Sequence, residues 1–259
     1  MALQILASFL SRYLGLTKIE NHINVIALSI VSFHAVYLLG GLISRYWFEN
    51  VYEDLSAKEK IVWRVKIVSF VHAVAISILA YPLLFDPHLM KNKVFGYTTY
   101  SGDVYAVTCG YFVWDIVYVL VQGQHMSFLL HGIACLAVFL YSYTPFLNYY
   151  GSAFLMFELS TPFLNLVYFM VTTIHGFGFE FASVFISNLF LQDKCSYSKT
   201  LLFKLNGIVL LLVFFLVRIV FGLYMSVKTF GNFFSFLGSN TLEIIRLRQN
   251  CKAFKLDRK

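Results

Sequence analysis

Apolar positions along this chain come in long unbroken runs, cut apart by charges, prolines and small polar residues. A hydrocarbon layer of roughly 30 Å takes about 20 helical residues at 1.5 Å of rise each. Runs near that length fall at 23–44, 61–85, 104–121, 126–143, 147–170 and 205–225. A membrane β-barrel would need strict in-out alternation over segments of about ten residues, so the continuity of these runs excludes it. The pattern predicts an all-α fold, a polytopic transmembrane helical bundle of six to seven spans. The seventh candidate is the shorter apolar patch at 177–191, which carries Glu180.

The connections refine that picture. The apolar start MALQILASFL reads as an interfacial amphipathic helix, with a mitochondrial presequence the weaker alternative. Gly40 and Gly41 mark a point in the first span where another helix can approach closely. The charged connector 45–61 carries Tyr46, Trp47 and Tyr52, rings suited to the headgroup layer. Gln122 to His125 is short enough to require a tight reversal, and Pro162 should interrupt the fifth helix just after Glu158. Three units follow: residues 1–57 with the first span and connector, 58–225 as the main transmembrane domain, and 226–259 as a basic tail.

Composition agrees, with 59% hydrophobic residues, 13% charged and a mean hydropathy of +0.73. The net charge of +7 sits in loops and the tail and not on one face beside stacking aromatics, which argues for membrane orientation and against a nucleic-acid partner. The connector and the tail, the two most basic regions, are expected on the cytoplasmic side, which requires an odd number of spans and favours seven. Cys109, Cys135, Cys195 and Cys251 lack metal or redox spacing; Cys109 and Cys135 read as small buried hydrophobes. No metal or cofactor is predicted.

The polar residues inside the runs are the candidates for chemistry, because ionisable groups in hydrocarbon are costly and usually face a protein interior or a wet cavity. Asp115 lies about six residues before the end of the third span and His131 about five after the start of the fourth, so both should sit roughly 8 Å from the same face, within reach on antiparallel neighbours. Glu158 and Asn165 are seven apart, about two turns, and should share a helix face. His72 lies at central depth, and Arg218 offers a positive partner or snorkels to the interface. Together they suggest a proton-transfer or lipid-headgroup site. The competing reading makes His72 and Asn165 interhelical hydrogen-bond glue. His34 reads as a satisfied interior histidine; Asn206 and His175 read as loop residues.

The ordered segments KIVWRVKIVSFVHAV, GYFVWDIVYVL, FLLHGIACLAVFLYSY, FELSTPFLN and VRIVFG resemble the TLC domain of the translocating-chain-associated proteins, ceramide synthases and CLN8-like proteins, over about residues 58–225. The resemblance is nearest to the TLC-domain-containing protein 4-like branch and its fungal relatives, through Glu158 to Asn165. It implies an endoplasmic reticulum membrane protein of lipid homeostasis, with a sphingolipid, phospholipid or acyl-CoA as partner. Ceramide synthases pair two histidines and two aspartates, whereas here Leu130 precedes His131 and Thr161 follows Glu158. Half of each pair is missing, so a lipid-holding or lipid-moving role is expected. An acyltransferase with His131 as general base, oriented by Glu158 or Asp115, is the alternative.

Overall fold

The computed structural model describes residues 2–123, 125–175 and 201–238. Ten α-helices lie in them: α1 Ala2–Leu14, α2 Ile23–Trp47, α3 Glu49–Tyr52, α4 Ala57–Ala80, α5 Pro87–Lys91, α6 Thr99–Gln122, α7 Met126–Tyr141, α8 Asn148–Leu155, α9 Thr161–His175 and α10 Leu201–Phe214. Beyond α10 the helix continues through a π-helical stretch, Phe215–Phe221, and the apolar span it forms covers Phe203–Gly238. Five helical segments are long and apolar enough to cross a membrane, and α7 is a shorter apolar helix. Together they form a polytopic helical bundle.

Local chemistry sets the helix ends. Ser56 and Glu59 cap the start of α4 reciprocally, and Thr98 and Ser101 do the same for α6, satisfying backbone donors that have no partner inside the helix. Gly123 closes α6 in the left-handed conformation at φ 59°, which glycine adopts without steric cost, and the chain reverses directly into α7 as its length requires. The fifth run breaks where Pro162 predicts. A 3-10 turn over Met156–Ser160 separates α8 from α9, and Pro162 occupies the opening turn of α9, where its missing N–H costs nothing.

α6 is the central helix. It runs parallel to α2, with His34 beside Tyr118 and Ser29 against Gly110, and antiparallel to α7, with Gly132 packed on Asp115 and Ile116. α4 packs antiparallel to α2. Ile67 and Arg64 lie over Gly40 and Gly41, the close approach the sequence predicts, and Trp63 Nε1–H donates to Ser44 Oγ (2.9 Å). α9 packs against α4, where Asn165 Nδ2–H donates to Ser69 Oγ (3.1 Å). The last helix returns antiparallel to α8 and α9: Asn206 meets the Phe163 carbonyl, Arg218 meets Ser160, and the Tyr150 hydroxyl donates to the Lys228 carbonyl.

Several expectations change here. Because the last helix is antiparallel to α9, the connector after α2 and the Gly238 end of the final helix lie at opposite ends of the bundle. The patch at 177–191, with Glu180, lies outside the described residues, as do Cys195 and Cys251. The last span runs on to Gly238 and not to 225. Tyr46 and Trp47 are exposed, as headgroup-layer rings should be, but Tyr52 is buried against Trp63. Arg64 stacks over Tyr37 at 4.4 Å and donates to the Lys60 carbonyl. His34 is on an exposed face and not in the interior. Asn206 is buried in α10, a helical position where a loop was expected.

α2 and α6 approach so closely that a Cβ on Gly110 would lie 2.5 Å from Ser29 Cβ and 2.8 Å from the Ile26 carbonyl, whereas one on Gly207 would meet nothing within 4 Å. Gly110→Val should therefore lower stability by about 1–3 kcal/mol or more through overpacking. Gly207→Ala should be neutral or stabilising by up to about 1 kcal/mol. Thermal unfolding of both variants in one detergent tests the pair, and equal behaviour would refute this close approach.

Candidate functional site

Several charged residues of the bundle lie within electrostatic reach of one another around Asp115. The groups whose charge acts on Asp115 of α6 are Lys66 of α4, His131 of α7 and Glu158 of the 3-10 turn. A Cβ on Gly132 would crowd Ile116 Cγ1 at 3.0 Å and lie at ordinary contact distance, 3.7 Å, from Asp115 Oδ2, so the missing side chain lets α7 pack on Ile116 beside the carboxylate. Asp115 and His131 lie close enough on antiparallel neighbours for their charges to interact, without a direct hydrogen bond between them. His131 lies on the exposed flank of α7, edge-on to Phe112 at 6.3 Å and 3.7 Å from the Cys135 sulfur one turn on.

Arg218 enters from the last helix through the π-helical stretch Phe215–Phe221. Its Nε–H donates to Ser160 Oγ (3.0 Å), and its guanidinium lies over the rings of Phe157 and Phe214. Of the two readings of Arg218, pairing inside the bundle is the one found, although Ser160 is the partner and no ion pair with Glu158 closes. Two carboxylates and two cations thus share one region, which lowers the cost of holding each in a poorly hydrated interior.

His72 and Asn165 stand apart from this cluster. His72 is 1% exposed and stacks flat on Tyr111, with ring centroids 3.7 Å apart, while Phe33 and Phe112 meet it edge-on. Both its nitrogens lack a partner. It reaches the cluster only through Tyr111, on which Asp115 and Glu158 both act. Asn165, 2% exposed, bonds Ser69 across the α4–α9 seam. The 3-10 turn between Glu158 and Asn165 interrupts the helical phase that would align them.

Sequence reasoning missed Cys135 as a member of the cluster, and it missed a second polar centre at the opposite end of α6. There His22, fully buried, bonds Asp103 through Nδ1 (2.7 Å) and the Tyr97 hydroxyl through Nε2, and stacks on Tyr143. Because a carboxylate only accepts, the Nδ1 proton points to Asp103 and Nε2 is left to receive the Tyr97 hydroxyl proton. The partners are 75 and 81 residues from His22, so no local spacing betrays them. Asp103, a lone charge immediately before the expected third span, was the one available signal. This triad fastens the segment before α2 to the start of α6.

With the geometry in place, comparison with known proteins settles the lineage. The family model described as TLC domain matches residues 62–248, most of the chain. The chain belongs to the TLC domain family. It is 35% identical over 218 residues to a TLC domain-containing protein of Schizosaccharomyces pombe, covering 83% of this chain and 67% of that one. Identity is 32% with topoisomerase I damage affected protein 4 of Saccharomyces cerevisiae, over 66% of this chain and 56% of the relative. It is 28% with TLC domain-containing protein 4 of Homo sapiens, over 75% and 69%. The chain thus spans between about half and two thirds of the length of its fungal relatives. No solved structure matches. The TLC domain match starts near the expected residue 58 and passes the expected limit at 225, in keeping with the longer last helix.

The triad in this TLC domain protein predicts a specific alkaline sensitivity. Burial, and then the Asp103 carboxylate, raise the Tyr97 phenol above its ordinary value. A raised folded value means that the stability Tyr97 contributes is complete below the unfolded phenol value of about 10 and is lost as pH rises through the folded one. Tyr97→Phe should lower stability at neutral pH by about 1–3 kcal/mol, because it strips the buried His22 Nε2 of its partner. The variant should also lose less stability than the parent between pH 9 and 11. Melting temperatures in detergent across that range decide it, and parallel curves would show that the hydroxyl is not coupled to folding.

Proposed function

We propose that this TLC domain protein serves lipid homeostasis by holding or moving a membrane lipid, whose polar head enters the cluster of Asp115, His131, Glu158 and Arg218. The supporting observation is that Asp115 feels the charges of Lys66, His131 and Glu158 from three other elements while His131 remains on an exposed flank. A lipid diffusing in the bilayer reaches such a flank without leaving the hydrocarbon. The balance of acids and bases suits a head that carries both a negative and a positive group, as many phospholipids and the phosphocholine-bearing sphingolipids do; acyl-CoA would bring a polyanionic head to Arg218 instead. Residence in the endoplasmic reticulum membrane belongs to the same proposal and follows the family resemblance.

A second reading is favoured by the approach of His131 to Asp115 and Cys135. In it the protein is an acyltransferase, with His131 taking the proton of an amine or hydroxyl as that group attacks an acyl-CoA thioester, and Asp115 or Glu158 orienting the imidazole. The two readings part on turnover. Arg218→Met together with Glu158→Gln should reduce the phospholipid that co-purifies by about tenfold, an interaction loss of about 1.4 kcal/mol. His131→Ala should leave acyl-CoA turnover at background, as in the parent. Mass spectrometry of extracted lipid and a thiol-release assay give both results. Undiminished lipid in the double variant overturns the holding role, and turnover abolished by His131→Ala replaces it with acyl transfer.

A further inference from the structure

Away from the charges around Asp115, two lysines meet tyrosine rings at the other end of the bundle. Lys93, between α5 and α6, holds its ammonium 5.1 Å from the centre of the Tyr149 ring at the start of α8. Lys228, on the last helix, holds its own 4.7 Å from the centre of the Tyr224 ring one turn back. The phenols of Tyr224, Tyr149 and Tyr150 all act on Lys228, so both ammonium groups neighbour Tyr149. Main-chain bonds fix the frame. Leu147 N–H donates to the carbonyl of Val94, the residue after Lys93 (2.6 Å), and the Tyr150 hydroxyl donates to the Lys228 carbonyl (3.3 Å) while accepting from Asn232. Lys228 is ten residues and about 15 Å along the helix from Arg218, which separates this place from the site proposed above.

The rings orient the two cations but bring no formal negative charge. Among the described residues the ion pairs are His22 with Asp103 and Glu53 with Arg45 and Lys60, and neither Lys93 nor Lys228 takes part. Two carboxylates at this end are engaged elsewhere: Asp86 accepts from the His88 and Leu89 N–H groups at the start of α5, and Asp103 accepts from His22. Lys228 is exposed and Lys93 half-buried, so an anion can reach both.

The surroundings name the anion. Exposed Tyr81, Tyr100, Tyr141 and Tyr224 stand around this end, just past α4, at the start of α6, at the close of α7 and on the last helix, as rings of a headgroup belt do. Lysines at that level attract the phosphates of acidic lipids. Two features choose among such lipids. A phosphomonoester carries roughly 1.5 to 2 negative charges near neutral pH and so matches two cations, whereas a phosphodiester carries one. Lys228 also folds back along its helix onto Tyr224, away from the Gly238 end and toward the bilayer centre. A phosphate attached straight to glycerol lies at that depth; one carried on a sugar ring stands further out. We propose that Lys93 and Lys228, set on Tyr149 and Tyr224, bind a lipid whose phosphomonoester is attached directly to glycerol, as in phosphatidic acid. The site does not depend on the lipid role proposed above, so the failure of either leaves the other standing.

The test is native mass spectrometry of the full chain in detergent, titrated with phosphatidic acid, phosphatidylserine, a phosphorylated phosphatidylinositol and phosphatidylcholine of matched acyl chains. Phosphatidic acid should bind at least about fivefold more tightly than any of the others, one lysine at a membrane surface contributing about that factor. Lys93→Gln and Lys228→Gln should each weaken it by about fivefold, and the double variant should hold it no better than phosphatidylcholine. Lys93→Arg, which keeps the charge, should retain it. Lys91→Gln, which removes a neighbouring exposed charge, and His131→Ala should leave its affinity unchanged. Millimolar inorganic phosphate should not displace it. Equal affinity for phosphatidic acid and phosphatidylserine overturns the proposal, as does a loss in Lys91→Gln equal to that in Lys93→Gln; displacement by inorganic phosphate replaces the lipid with a soluble anion.

Discussion

In hydrocarbon there is no water to answer a polar side chain, so each one carried into the bundle must find its partner on a neighbouring helix or leave a cost uncompensated. That constraint organises this molecule. Trp63 answers Ser44, Asn165 answers Ser69, Asn206 answers the Phe163 carbonyl and Arg218 answers Ser160. Each pair joins elements distant in sequence, and together they fix α2, α4, α9 and the last helix in register. Between helices that are otherwise apolar, van der Waals packing favours closeness without choosing a register, so these bonds carry information that packing alone does not.

The same constraint explains the place of α6. Its small residues let neighbours approach: Gly102 meets His22 and Gly110 meets Ser29, while on α7 Gly132 meets α6 itself. Its larger ones build an aromatic spine, in which Tyr111 lies flat on His72 and Phe112 stacks with Phe139. Its two carboxylates are divided between two tasks. Asp103 accepts from a fully buried histidine and holds the N-terminal segment down. Asp115 lies within the charge of Lys66, His131 and Glu158.

Spans, reversals and the proline break were legible in the sequence because they rest on local rules, the length of an apolar run and the chemistry of Gly123 and Pro162. The meeting of Asp115 with His131 was legible for a related reason: two antiparallel helices joined by a tight turn have their depths fixed by counting residues from that turn. Partners that a tight turn does not connect stayed hidden. Nothing local ties His22 to Tyr97 and Asp103, and His72 reads as a polar-site residue until Phe33, Tyr111 and Phe112 are seen around it. The orientation argument turns on the patch at 177–191 and the tail, which lie outside the described residues, while the course of the last helix is set by its contacts with α8 and α9.

Regular backbone is broken at informative places. The π-helical stretch Phe215–Phe221 contains Arg218, and inserting a wider turn changes the direction in which that side chain leaves the helix. Leu147, a non-glycine residue in the left-handed region, immediately precedes Asn148. Such conformations persist only where their surroundings over-determine them. Here a backbone bond from Leu147 to Val94 and the Tyr105 hydroxyl supply the constraint on one side, and Ser160 with two aromatic rings supplies it on the other. The last helix runs past both places, with Arg218 and Thr229 eleven residues and about 16 Å apart along it.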